Sequence, residues 1–302
     1  MGASEICYRP FSHYIAMVDR RLRASTTAIA TVLFMLALKL GVGLTTQSIG
    51  IISQAVDSVT DLMASFLAFY AVRKSMEPPD EKHPYGHSKF ENLISVVVGL
   101  IIILVAVAVA REAVNRLVGG EEPVMLEIGI AVMAVAVFVN LAVSSYLFRV
   151  ARLERSMALE ADATHLRIDV VSNAGVLIGL VIIFVTGLTI IDPIIALIMA
   201  AYIVLSGVRL IVKASADLLD ENILPEEERI VREVLGEHSQ GYRYFHALKA
   251  RRGGSKNYLE LHLAVEGDMR VDDAHDLAEH LEEEIRSRLP HFQVIIHVEP
   301  EK

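Results

Sequence analysis

The chain has 302 residues, 53% of them hydrophobic and only 22% charged, a balance too apolar for an ordinary soluble domain. Its net charge of −9 sits at one end: residues 1–213 hold 17 basic and 17 acidic side chains, whereas residues 214–302 hold 11 and 20, with seven of the 11 histidines. A neutral apolar part (1–213) joined to an acidic, His-rich tail (214–302) implies two domains in different solvents, and the acidic balance argues against nucleic-acid binding. The single cysteine, Cys7, excludes an intrachain disulfide and a thiolate metal cluster.

A bilayer core of about 30 Å takes roughly 20 apolar residues of helix. Six stretches qualify as spans: 25–47, 51–72, 92–115, 124–148, 160–187 and 190–212. The first follows Arg20, Arg21 and Arg23, but its apolar run is too long for a signal peptide. Gly119–Gly120 with Pro123, and Gly187 with Pro193, mark turns. Basic residues gather before span one, between spans two and three, between four and five, and after six, with Arg111 and Arg116 as the exception. The positive-inside rule then places both termini and the tail in the cytoplasm. The tail reads αββαβ: a helix from Pro225, strands near Tyr244–Ala250 and Tyr258–Glu266, a helix over Val271–Leu289 and a last strand at Phe292–Glu299. The expected fold is therefore a membrane all-α domain of six transmembrane helices followed by a cytoplasmic α+β domain of ferredoxin-like type.

The second and fifth spans carry the chemistry. Asp57 and Asp61 lie four residues apart on one helix face, and His165 and Asp169 repeat the spacing. An ionised group at the bilayer centre costs on the order of 3 kcal/mol, so three carboxylates and an imidazole need a compensating partner. A divalent cation held by all four would supply it, and three oxygens with one nitrogen suit zinc. Metal binding needs deprotonated carboxylates and a neutral imidazole, so protons and metal compete for the same atoms, which is the basis of proton–metal antiport by alternating access. Asp162 lies near the His165 face, either to orient that ring or as an interfacial capping residue.

Between spans two and three, Asp80, His83 and His87 are close enough along the chain to meet around one ion, although spacing alone favours a polar turn. In the tail, alternation puts Leu259, Leu261, Leu263 and Val265 on one strand face and turns His262 the other way. His246, His262, His275, His297 and Glu299 could then converge on one or two zinc ions, with a solvated histidine face as the alternative; His238, His280 and His291 read as solvated.

These residues carry a resemblance. The stretches Asp57-Ser-Val-Thr-Asp61, Ala161-Asp162-Ala163-Thr164-His165 through Asp169, and His83-Pro84-Tyr85-Gly86-His87-Ser88-Lys89 together resemble the cation diffusion facilitator family over nearly the whole chain. The resemblance implies a homodimeric antiporter in the bilayer, on the bacterial inner membrane, exporting divalent metal from the cytoplasm in exchange for protons and performing no enzymatic step. It makes Asp57, Asp61, His165 and Asp169 the transport site and strengthens the metal reading of the Asp80–His87 loop. It gives Zn2+ as the main transported and regulatory ion, with Cd2+, Fe2+ or Mn2+ as further candidates, and it marks Glu299 as standing where relatives often have Asp. A membrane-anchored metal sensor or scaffold without flux is the competing reading.

Overall fold

The structure, a computed structural model, describes residues 11–46, 49–119, 127–186 and 190–301. Cys7 lies outside these residues, as do Gly120 and Pro123 of one predicted turn and Gly187 of the other, whereas Gly119 and Pro193 fall within helices. The chain forms two compact units, Met1–Ala214 and Ser215–Lys302.

The first unit is built from long helices: α1 (Phe11–Thr46), α2 (Ile49–Ser75), α3 (Phe90–Gly119), α4 (Glu127–Glu154), α5 (Met157–Thr186) and α6 (Ile191–Leu218), whose last residues enter the second unit. Among the described residues, four of them (α1, α3, α4 and α6) contain a stretch long and apolar enough to cross a membrane. In α2 and α5 the apolar run is interrupted by Asp57 and Asp61, and by Asp162, His165, Arg167 and Asp169. Large apolar side chains such as Phe34, Leu104 and Phe138 point outward, as a lipid-facing surface requires.

Helix α5 belongs to both apolar clusters of the unit. Its Leu159, Ala163 and Leu166 pack with Ala28 of α1, Val72 of α2 and Leu147 of α4, while its Ala161 and Ile168 pack with Val98 of α3 and Ile203 of α6. Small residues allow close approach where burial in lipid gives no hydrophobic drive. At the α3–α6 crossing a Cβ on Gly207 would lie 2.8 Å from Ile103 Cγ1 and 3.1 Å from the Gly99 carbonyl oxygen.

One end of this bundle is joined by a buried charge. Glu91, only 3% exposed, accepts hydrogen bonds from Arg21 Nη1 (3.2 Å), Ser75 Oγ (2.7 Å), Ser156 Oγ (2.6 Å) and the Ala158 backbone N–H (3.3 Å). Arg21 also donates to the Glu154 carbonyl. Sequence reading counts Arg21 among the basic residues before the first span; the structure makes it in addition the counter-charge of a carboxylate 70 residues away that ties α1, α2, α3 and the start of α5 together.

The second unit follows with α7 (Pro225–Glu237), β1 (Tyr244–Gly253), β2 (Lys256–Val265), α8 (Val271–Arg288) and β3 (Phe292–Pro300). Pro225 starts α7 where its missing N–H costs nothing, and the Glu227 carboxylate reaches back to the Leu224 N–H at 3.1 Å. The sheet order is β1-β2-β3, with β1/β2 antiparallel and β2/β3 parallel through the α8 crossover. Leu259, Leu261 and Leu263 of β2 are fully buried under Val231 and Leu235 of α7 and Leu281 and Ile285 of α8. Each such leucine contributes about 1.5–3 kcal/mol. Both helices thus cover one sheet face. Ala247, at φ 50°, makes a bulge that shifts the β1/β2 register just after His246, a feature without a sequence signal.

Candidate metal centres

In the first unit α2 and α5 bring a carboxylate, an imidazole and a second carboxylate together. Asp61 Oδ1 lies 3.2 Å from His165 Nε2, and ligand atoms of Asp61, His165 and Asp169 all fall within 4.8 Å of one another. The Asp169 Oδ2 atom is buried with no hydrogen-bond partner, the condition a bound cation relieves. Asp57 stands one turn before Asp61 on α2, but its side chain lies outside the described ones. Asp162, 1% exposed, accepts a hydrogen bond from Ser65 Oγ at 2.8 Å, so it joins α5 to α2 rather than capping a helix end. Arg167 turns away: its guanidinium donates to Ser144 and Ser145 of α4 and stacks on Phe148, which leaves the acidic group unneutralised from that side. Lys39, which the sequence did not place, donates to Ser58 Oγ at 2.7 Å and lines a small cavity with Asp61 and Asn140.

The turn between α2 and α3 gathers a second group. Asp80, His83 and His87 ligand atoms lie within 4.8 Å of one another. The His83 backbone N–H donates to Asp80 Oδ1 at 2.6 Å and holds that carboxyl below the usual carboxylate range. His87 is buried, with Nδ1 3.4 Å from the Glu77 carbonyl oxygen and Nε2 3.4 Å from Asp80 Oδ2. Gly86, at φ 85°, permits the reversal that brings His87 back toward Asp80. Spacing alone read this segment as a turn; the turn is what converges the donors.

In the second unit, His246 pairs directly with His262 and His262 with His297 across the three strands, so the imidazoles form a row on the face opposite the leucines. His246 Nε2 lies 2.6 Å from Glu299 Oε1 and His262 Nδ1 3.4 Å from Oε2, and these three residues form a third group within 4.8 Å. The hydrogen bond from His246 holds the Glu299 carboxyl below its ordinary range. The His297 ring lies tilted against that of His262, centroids 4.8 Å apart, at the edge of the group. His275 does not join it within one chain: it sits on α8, and α8 covers the other sheet face. His291, read as solvated, instead contacts Glu227 Oε1 at 2.8 Å. Two nitrogens and a carboxylate oxygen at this spacing form a donor set that could hold a divalent metal ion.

Residues 25–219 match the model of the cation efflux transmembrane domain, and residues 223–301 match that of the cation efflux protein cytoplasmic domain. The chain belongs to the cation efflux family. A transporter of Synechocystis sp. without an assigned cargo is 34% identical over 90% of this chain and 88% of its own. The cation-efflux pump FieF of Pectobacterium atrosepticum is 31% identical over 95% of this chain and 94% of its own. Among solved structures, the metal-bound C-terminal domain of the CzcD transporter from Thermotoga maritima is 33% identical, covers 25% of this chain and 87% of its own, with a TM-score of 0.24. This cation efflux protein is therefore a membrane transporter of divalent metal cations and not an enzyme, and its tail is the family's dimerisation domain.

Proposed function

We propose that this chain is a proton-coupled exporter whose main cargo is Zn2+, working as a homodimer in the bacterial inner membrane. In this reading all six long helices cross the bilayer, both termini face the cytoplasm, and the tail is a ferredoxin-like regulatory domain. Asp57, Asp61, His165 and Asp169 hold the cargo. What supports the reading is the convergence of Asp61, His165 and Asp169 on two helices of the transmembrane unit, with an unpartnered buried carboxylate oxygen among them. A neutral imidazole with carboxylates favours a borderline ion such as zinc or cadmium over the oxygen-seeking magnesium or calcium. Each ligand atom that takes the metal is also one that takes a proton, so exchange of one for the other needs no further machinery. Asp80, His83 and His87 would hold a peripheral ion beside α3. His246, His262 and Glu299, with His297 at their edge, would hold a regulatory ion in the tail.

The test is zinc flux into proteoliposomes under an imposed pH gradient, for wild type, Asp57→Ala and His165→Ala. Gradient-dependent uptake lost in both variants is expected. Zinc binding without flux in the wild type would establish a membrane-anchored sensor instead, and flux surviving both substitutions would move the pathway elsewhere.

A further inference from the structure

His238 and His280 have no part in the three groups above, and sequence reading left both to solvent. They meet on the helical side of the tail, across the sheet from His246, His262 and Glu299. His238 closes α7, and its Nδ1 lies 3.0 Å from the Val234 carbonyl oxygen. A carbonyl has no proton to give, so Nδ1 carries the hydrogen and donates it. In the neutral ring this leaves the Nε2 lone pair facing outward. That nitrogen lies 3.1 Å from Nε2 of His280 on α8, with the ring centroids 4.9 Å apart.

We propose that His238 and His280 form a further metal site of the tail, a two-imidazole chelate for a borderline divalent cation such as Zn2+, Cu2+ or Ni2+. Two nitrogens on one tetrahedral zinc at about 2.0–2.1 Å stand about 3.3 Å apart, within a few tenths of an ångström of the observed spacing. The carbonyl behind His238 fixes its tautomer and aim, as the outer partner of a metal-bound histidine does. His280 is exposed and His238 half-buried, so water has access to complete the coordination. The carbonyl end of α7 carries partial negative charge, which favours a cation at its last residue. An imidazole pair takes these ions in preference to Mg2+ or Ca2+. A metal held there would fasten the end of α7 to the second half of α8, on the face away from the histidine row. The site does not depend on the transport reading, because none of its atoms belongs to the transmembrane unit.

The test is zinc titration to saturation of the full chain in detergent, counting bound ions per chain by elemental analysis. His238→Ala and His280→Ala are each expected to bind one ion fewer than wild type, and the double variant to lose no more than either single. His262→Ala combined with His280→Ala should lose the two sites additively, since they lie on opposite sheet faces. An anomalous zinc peak between the two Nε2 atoms in crystals of the full chain would agree. Because His280 is exposed on a helix, its variant keeps the test valid if the His238 change disturbs the α7 end. Unchanged stoichiometry in His280→Ala, with circular dichroism intact, would overturn the proposal and leave a hydrogen-bonded imidazole pair.

Discussion

Arg21→Ala is expected to destabilise the transmembrane unit by leaving the buried Glu91 carboxylate without its counter-charge. Glu91 is buried and accepts from two serine hydroxyls, one backbone N–H and the Arg21 guanidinium. Neutral donors offset part of the desolvation of a carboxylate, but Arg21 is the cation in contact with it, at 3.2 Å. Removing one member of a buried ion pair costs about 3–5 kcal/mol, because the survivor keeps its desolvation penalty. Glu91→Gln leaves the equally buried Arg21 guanidinium without its carboxylate and should cost a comparable amount, eased only by the amide oxygen that can still accept from one donor. Arg21→Met combined with Glu91→Gln should recover much of the Arg21→Ala loss, since a neutral amide needs no counter-charge. Replacing Glu91 by leucine should not rescue, because Ser75, Ser156 and the Ala158 N–H would each lose an acceptor at about 1–3 kcal/mol. Thermal unfolding in detergent, followed by circular dichroism, reads the series. If the double variant were as unstable as the sum of its parts, the two groups would not be coupled and the junction would be held by the serines alone.

Gly207→Ala should destabilise by about 1–3 kcal/mol, because the new methyl would meet the Gly99 backbone and Ile103 with little room to shift. Gly41→Ala, with nothing within 4 Å of the added Cβ, should be neutral or slightly stabilising in the same unfolding assay. Asp80 has a folded pKa below its ordinary 3.8, so its contribution is present above that value and lost as pH falls through the lower folded one. Exchange protection of the His83 amide should accordingly persist down to pH 3.8 and collapse only beneath it; loss of protection well above 3.8 would show that Asp80 does not hold the turn. Glu299→Gln should weaken zinc binding by the tail at least as much as His246→Ala, whereas His275→Ala should leave it unchanged in a monomeric preparation, as isothermal titration of the full chain would reveal.

The groups legible in the sequence were those set by short spacing. Asp57/Asp61 and His165/Asp169 announce themselves because i, i+4 places them on one helix face and because charge is rare in such surroundings. The β2 leucines and His262 were legible through their period of two. The Glu91 junction was not, since its members come from positions 21, 75, 91 and 156 and each looks locally like an ordinary interfacial polar residue. His275 was assigned to the tail cluster by residue type. Its helix argues otherwise: Ala274, Ala278, Leu281 and Ile285 are the buried face of α8, and they lie against the leucine side of the sheet. The Ala247 bulge and the convergence of Asp80 with His87 depend on backbone geometry that residue types alone do not specify.

The register between α2 and α5 governs the proposed transport site, and one hydrogen bond outside that site helps to hold it. Asp61 meets His165, and four residues further along α2 Ser65 meets Asp162, three residues earlier on α5. Rising numbers on one helix match falling numbers on the other, so the two run antiparallel and these contacts are successive rungs. Ser65→Ala removes the partner of Asp162 Oδ1, whose other oxygen already has none, at about 1–3 kcal/mol. If that rung positions the site, zinc affinity and gradient-driven flux should both fall in Ser65→Ala although Ser65 is no ligand, and Ser65→Thr, which keeps the hydroxyl, should restore them. Unaltered affinity and flux in Ser65→Ala would mean that apolar packing of α5 against α2 sets the register by itself, and that Asp162 is a buried carboxyl without influence on the metal.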